Sequence, residues 1–484
     1  MASTGRPVGR AGDAGTNGRA GLFAILQYDQ FMWLMFNKAR IRRLLAAALV
    51  AAVAAGVLGM VFCPLGEVRG AEIPLPDFTS YEVPDTQHPP AGQPWREAID
   101  VFLLAAAIGA ASYAALVRRS RAWLLGITIA SLVWFGFVRQ GCVCSIGAIQ
   151  NVVLSLVDAN YLLPWSVAAF FALPLISTLF FGRTFCAAVC PLGAIQELAA
   201  VRATRVPRWL DHSLGLLAFV YSGWAVAATA AGGVMLICRY DPFVGFFRLS
   251  GGFPMLVFGG ALLLIGVFVA RPYCRFLCPL GAILGLLSRA SYRHVRIPPN
   301  ECIRCRLCED VCPYNAIEPP AGAPDAAERG RAQRRLLAAL AALPVLIVAG
   351  AAVGWLVRDA MSSLHPRVRL AERIFREDAG EPIVPTDATN GFRASGESVE
   401  SLYADADRLR RRFAWASMAF GGWVGLVFAV KMIALCMRPR RDEYEPDRRG
   451  CVSCGRCFWY CPKEQVRLGL IDESQLPPAE PPPP

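Results

Sequence analysis

Two runs of this chain have the residue types and spacing for redox chemistry. They are Cys302-x2-Cys305-x2-Cys308-x3-Cys312-Pro313 and Cys451-x2-Cys454-x2-Cys457-x3-Cys461-Pro462. Three thiolates on one short loop reach three corners of an iron–sulfur cube, and the cysteine before the proline serves the other cluster when two runs pair. The spacing therefore predicts two [4Fe–4S] clusters. Cys302, Cys305 and Cys308 with Cys461 would hold one, and Cys451, Cys454 and Cys457 with Cys312 the other. Zinc sites or disulfides are the alternatives, but zinc ligands come as two separated pairs rather than four cysteines in one run ending in Cys-Pro.

A second cysteine pattern repeats elsewhere. Arg183-Thr-Phe-Cys186-x3-Cys190-Pro-Leu-Gly-Ala-Ile-Gln parallels Arg271-Pro-Tyr-Cys274-x3-Cys278-Pro-Leu-Gly-Ala-Ile-Leu. Arg139-Gln-Gly-Cys142-x-Cys144-Ser-Ile-Gly-Ala-Ile-Gln is a degenerate copy, and Cys63-Pro-Leu-Gly a fragment. Each proline suits the first turn of a helix, which places its cysteine at a helix N-terminus where the dipole favours thiolate. Cys186, Cys190, Cys274 and Cys278 form a candidate inner-face Fe–S site, against helix packing or a redox disulfide. Cys63, Cys142, Cys144 and Cys238 form an outer-face set, read either as disulfides or free thiols, or as a metal or Fe–S site. Cys436 stands alone and reads as a buried, inert thiol.

The elements that must position these cysteines are membrane helices. The chain has 484 residues, is 55% hydrophobic and carries a net charge of +12. Its apolar runs approach the ~20 residues that span a bilayer. We read an all-α polytopic membrane protein with eight spans, near 44–62, 98–117, 122–138, 165–182, 213–237, 253–270, 335–357 and 413–436. The arginine bias of the loops sets both termini in the cytoplasm of a bacterial inner membrane, with loops 63–97 and 358–412 outside. Both ferredoxin runs then fall in the cytoplasm. Arg408, Arg410, Arg411 and Arg412 lie outside, against the rule.

The expected organisation is a basic, disordered N-terminus (1–43), a first transmembrane repeat (44–138), a second (139–296), ferredoxin half 1 (297–330), a transmembrane hairpin (331–440), ferredoxin half 2 (441–475) and a disordered tail (476–484). Spans 1–3 and 4–6 form a 3+3 inverted-topology repeat. In a membrane protein the positive charge reads as topology rather than as a nucleic-acid partner, and no aromatic–basic patterning suggests RNA or DNA binding. No phosphate loop, dinucleotide fingerprint or haem attachment motif is present, so neither nucleotide nor haem is expected. His88 and His365 read as solvated loop histidines, and His212 and His294 make no facing pair for haem. Asp100 and Asp158 read as snorkelling or capping residues, and Trp134, Trp165 and Trp224 as belt or core.

The Cys-x3-Cys-Pro-Leu-Gly-Ala repeats on consecutive spans, followed by ferredoxin cysteines, resemble the NapH/NosR-type membrane polyferredoxins. Tyr240-Asp241-Pro242-Phe243 is similar to that family's acidic-Pro-Phe segment. The resemblance covers residues 122–317. It implies a two-cluster membrane protein linking the quinone pool or a cytoplasmic donor to a periplasmic redox partner, such as a cytochrome, ferredoxin, flavoprotein or reductase. This chain departs from the pattern in the hairpin that splits its ferredoxin runs and in its outer cysteines. The leading expectation is an electron conduit. A copper-handling assembly or reductase factor is the alternative, since Cys142-x-Cys144 suits Cu(I), and a redox sensor the third reading.

Overall fold

The computed structural model describes residues 94–141, 144–201, 203–297, 302–321, 326–382, 384–437, 441 and 443–476. The chain divides into Met1–Pro74 and Leu75–Pro484, and the described residues all belong to the second unit. The expected first span, Cys63, His88, Cys142 and the tail beyond 476 lie outside them.

The described part is helical apart from one two-stranded sheet. Helices α1 (Pro94–Leu116), α2 (Arg121–Val138), α6 (Arg208–Gly232), α9 (Ala326–Leu356) and α10 (Val399–Cys436) are long and apolar enough to cross a membrane. The expected spans near 165–182 and 253–270 are the shorter α4 (Trp165–Phe181) and α7 (Phe253–Gly266). At 17 and 14 residues they reach about 25 and 21 Å, short of a full ~30 Å hydrocarbon core.

Three still shorter helices follow the cysteine repeats: α3 (Ala148–Val157), α5 (Pro191–Ala199) and α8 (Pro279–Leu287). In α5 and α8 the cysteine is the N-cap and the proline opens the first turn, as the sequence predicts. At 10, 9 and 9 residues each is too short to cross a bilayer. Before the third repeat, α2 loosens into a π-helical stretch over Leu132–Val138, a feature frequent at functional sites.

The hairpin of α9 and α10 is held by small residues. A Cβ on Gly354 would lie 2.0 Å from the Ser417 carbonyl oxygen, and one on Gly421 2.1 Å from that of Gly350. Gly350-x3-Gly354 thus faces Gly421-x3-Gly425, the small-x3-small pattern of close membrane helices. Gly354→Val is expected to force the helices apart and cost on the order of 1–3 kcal/mol, read as a lower thermal unfolding midpoint in detergent. An unchanged midpoint would mean that the backbones do not approach this closely.

The segment expected as a loop over 358–412 is instead a small helical layer. Pro366–Asp378, Asp387–Ala394 and the first turns of α10 pack around Val368, Ile374, Phe392 and Leu402. Its arginines spend their charge locally. Arg410 pairs with Glu372 at 3.2 Å and Asp407 at 3.4 Å, and Arg408 pairs with Asp405. His365 is half-buried rather than a solvated loop residue. Its Nε2 donates to the Gly232 carbonyl at 3.2 Å while its Nδ1 accepts from the Arg367 amide, so it caps the end of α6. Asp100 neither snorkels nor caps. It is buried, paired with Arg139 at 2.7 Å, and accepts from Trp134 Nε1 at 3.2 Å. Cys436 ends α10 half-exposed rather than buried.

Candidate iron–sulfur centres

The two ferredoxin runs, some 150 residues apart, meet. Strand β1 (Ile317–Glu318) pairs antiparallel with β2 (Glu445–Pro446), in register Ile317 with Pro446. Each half thus contributes one strand, and the hairpin between them brings the chain back to its starting face. Cys302, Cys305, Cys308 and Cys461 line one cavity together. Cys308 lies within electrostatic reach of the other three. Cys451 and Cys457 each feel Cys454 and Cys312. The structure thus brings Cys461 to the first run and Cys312 to the second. Cys457 also feels Cys308, which sets the two groups side by side.

Burial pushes the Cys308 and Cys451 thiols up to about 12, and their cysteine neighbours push the same way. Such thiols deprotonate only when a positive centre takes the proton's place, which a cluster iron does. Among the described residues no three His, Cys, Asp or Glu side chains converge to hold a single metal ion.

Cys186, Cys190, Cys274 and Cys278 also come together. Cys190 and Cys278 each feel Cys186 and Cys274, and Cys278 feels Cys190. The glycine of each Pro-Leu-Gly or Ser-Ile-Gly serves this geometry. The Gly281 amide donates to Cys278 Sγ at 3.3 Å, and the Gly147 amide to Cys144 Sγ at 3.3 Å. A Cβ on Gly193 would sit 3.8 Å from Cys274 Sγ. One on Gly147 would sit 2.9 Å from Cys238 Sγ and 3.7 Å from Cys144 Sγ. Cys144 and Cys238 are therefore neighbours, and both are free thiols. Cys144 also lies within electrostatic reach of Cys190. Cys144 thus approaches the Cys186 group.

The glutamine of the repeat, which cysteine spacing alone does not single out, fixes these loops. Gln196 Oε1 accepts from the Tyr273 amide at 3.0 Å, and its Nε2 donates to Cys274 Sγ at 3.3 Å. Gln150 Oε1 accepts from the Ile237 amide at 2.7 Å. In each case the bonded amide belongs to the residue just before a cysteine, Cys274 or Cys238. The same glutamine performs the same task in two copies.

The repeat arginines stand between the Cys186 group and the ferredoxin runs. Arg183 donates to the Arg449 carbonyl at 2.9 Å and to Cys186 Sγ at 3.9 Å. Arg271 bonds the Cys186 and Ala187 carbonyls, and feels both Cys274 and Cys454. Sequence reasoning missed Glu197, onto which both regions converge. Its carboxylate is met by Arg271 at 3.0 Å, Arg121 at 3.1 Å, Arg456 at 3.0 Å and the Tyr314 hydroxyl at 3.2 Å. Burial alone would raise Glu197, but the three guanidiniums outweigh it and hold the carboxyl at about 2. Only its place beside the repeated Gln196 hinted at a role. Asp241 accepts from the Phe243 and Val244 amides and lies within reach of Cys144 and Cys238.

Comparison with known proteins fits this geometry. The family described as 4Fe-4S binding domain matches twice, over residues 163–210 and 251–298, and a second 4Fe-4S binding domain family matches 295–318. The first two matches contain Cys186 with Cys190 and Cys274 with Cys278. Protein NirI of Paracoccus denitrificans is 33% identical over 230 residues, covering 42% of this chain and 33% of NirI. Regulatory protein NosR of Pseudomonas aeruginosa is 29% identical over 42% of this chain and 30% of NosR. Ferredoxin-type protein NapH of Escherichia coli is 30% identical over 27% of this chain and 47% of NapH. The matches thus span about a third to a half of these relatives. No solved structure matches. The resemblance to the NapH/NosR-type membrane polyferredoxins holds, and the chain is a 4Fe–4S protein related to them.

Proposed function

We propose that this chain passes single electrons across a bacterial inner membrane, between a cytoplasmic donor or the quinone pool and a periplasmic redox partner. One observation carries the reading: the cysteines form an unbroken succession of groups. The Cys302 group adjoins the Cys451 group through Cys308 and Cys457. Arg183 and Arg271 lead from there to the Cys186 group. Cys190 then lies within reach of Cys144. Clusters bound at these thiolates would supply one-electron storage.

On this reading Cys302, Cys305, Cys308 and Cys461 hold one [4Fe–4S] cluster, and Cys451, Cys454, Cys457 and Cys312 a second. Cys186, Cys190, Cys274 and Cys278 hold a third at the inner side. Cys144 and Cys238, with Cys142 and Cys63, form the outward group. The shared glutamine contact supports treating Cys144 as the counterpart of Cys190 and Cys238 as that of Cys274. Cys63-Pro-Leu-Gly shares its four residues with Cys278-Pro-Leu-Gly. An inverted repeat would bring the two groups toward the membrane middle from opposite sides.

The test is an anaerobic iron and acid-labile sulfide count with EPR of the reduced protein. About twelve irons or more per chain are expected, with about four lost in Cys190→Ser/Cys278→Ser. A count near eight, unchanged in that variant, would leave the membrane cysteines as thiols and break the path.

A further inference from the structure

A cavity of about 290 Å³ lies where the helix bundle meets the ferredoxin runs. Cys186 and Cys274 are among its lining and belong to the cysteine group already described. The rest of its lining is basic. Arg183, Arg289, Lys431 and Arg449 come to it from four separate segments, with Ala218 and Leu435 among its apolar lining.

Among the described residues, no carboxylate forms an ion pair with any of these four cations. Arg183 donates to a backbone carbonyl. Lys431 Nζ lies 3.0 Å from His212 Nδ1. The Arg449 guanidinium sits over the Phe219 ring at 5.0 Å. The acids of the cavity have other direct partners: Asp211 has Arg275 at 2.7 Å, Glu318 has Arg441, and Asp447 has the amides of Arg449 and Gly450 at 3.2 and 2.9 Å. Asp211 and Asp447 still act on Lys431 and Arg449 through space, but the lining keeps more cations than carboxylates, and a bound anion relieves the remaining repulsion.

We infer that this basic lining binds a phosphate-bearing anion, and that its source is the head group of an anionic phospholipid. Guanidinium groups match phosphate oxygens in charge and geometry, and basic pockets between membrane helices bind such head groups. The place suits a lipid. Lys431 lies near the C-terminal end of the apolar helix α10, and Leu435 and Met437 beside it are 56% and 64% exposed, a surface on which acyl chains can lie. A head group there would tie α10, the segment after α8 and the second ferredoxin half together. The inference goes beyond the electron-transfer reading and does not need it.

Native mass spectrometry of the purified protein tests it, with Arg289→Gln/Lys431→Gln and the charge-keeping Arg289→Lys/Lys431→Arg as variants. We expect wild type and the charge-keeping variant to retain an anionic phospholipid, and the neutral variant to lose it at least tenfold with its iron content unchanged. Thermal unfolding in nanodiscs should rise when phosphatidylglycerol replaces part of the phosphatidylcholine, for wild type alone of wild type and neutral variant. Stabilisation of delipidated protein by inorganic phosphate, without retained lipid, would overturn the lipid as the source. Neither lipid retention nor a response to phosphate, or equal retention in the neutral variant, would overturn the site.

Discussion

A chain in which Cys461 is replaced by serine is expected to lose the cluster of the first run and keep that of the second. The reason is the crossing. Cys461 follows Cys451, Cys454 and Cys457 in sequence, yet it lines the cavity of Cys302, Cys305 and Cys308. Cys312 in turn lies with the second run. Iron should fall by about four per chain. Pairing the substitutions makes the result decisive. Cys302→Ser/Cys461→Ser should lose no more iron than either change alone, because both act on one centre. Cys302→Ser/Cys312→Ser should lose about eight, because they act on two. Iron counts that double for the first pair and not for the second would show that each run serves its own cluster.

The crossed pairing is an expectation that the run itself carries, since the cysteine before the proline serves the other cluster when two runs pair, and Cys461 stands at a helix N-cap. The long helices were legible for a similar reason, since hydropathy over ~20 residues has one solution in a bilayer. What escaped was whatever depends on two distant segments at once. Nothing in Gly350-Ala-Ala-Val-Gly354 says that Gly421 will lie against it. The hydropathy that sets the start of a span at 413 cannot see that α10 begins at Val399, because those earlier turns are held by Val368 and Phe392 rather than by lipid. Asp100 looked like an end-of-helix acid because it falls near the end of a span, and its partner Arg139 comes from the far end of the next one.

The repeats show the same limit from another side. Their cysteines and prolines could be read directly, since each has a local job. Their glycine and glutamine could not, because the job is done across the fold. Gly147 leaves room beside Cys238, and Gln150 holds the amide before it. A repeated residue with no local use was the signal available, and it pointed to a task performed once per copy.

Glu197→Gln is expected to be the most damaging single change away from the cysteines. The amide keeps the shape and removes the charge. Arg271 is only 2% exposed, and without Glu197 it would be a buried cation lacking its carboxylate. Removing one partner of such a pair costs about 3–5 kcal/mol. The loss falls at a joint. Arg271 belongs to the membrane cysteine repeat, Arg121 opens a membrane helix and also bonds the Cys454 carbonyl at 3.0 Å, and Arg456 lies within the second ferredoxin run.

The Glu197→Gln chain should therefore lose its hold on residues 441–475. The readouts are faster protease cleavage there and a lower unfolding midpoint, with Arg456→Gln adding little once Glu197 is gone. The acid dependence has a fixed sign. The Glu197 carboxyl sits at about 2 against an ordinary 4.5, so its contribution is whole above 4.5 and fades as pH falls toward 2. Protease resistance of 441–475 in wild type should weaken through that window, and the glutamine variant should lack this component. Equal acid sensitivity in both chains would mean that the joint is held elsewhere. One carboxylate among three guanidiniums leaves a surplus of positive charge, and Arg271 already feels Cys274 on one side and Cys454 on the other. Thiolate-bound clusters there would supply the missing negative charge, so the joint should tighten as the cysteines fill, and stripping iron from wild type should loosen 441–475 as the glutamine does.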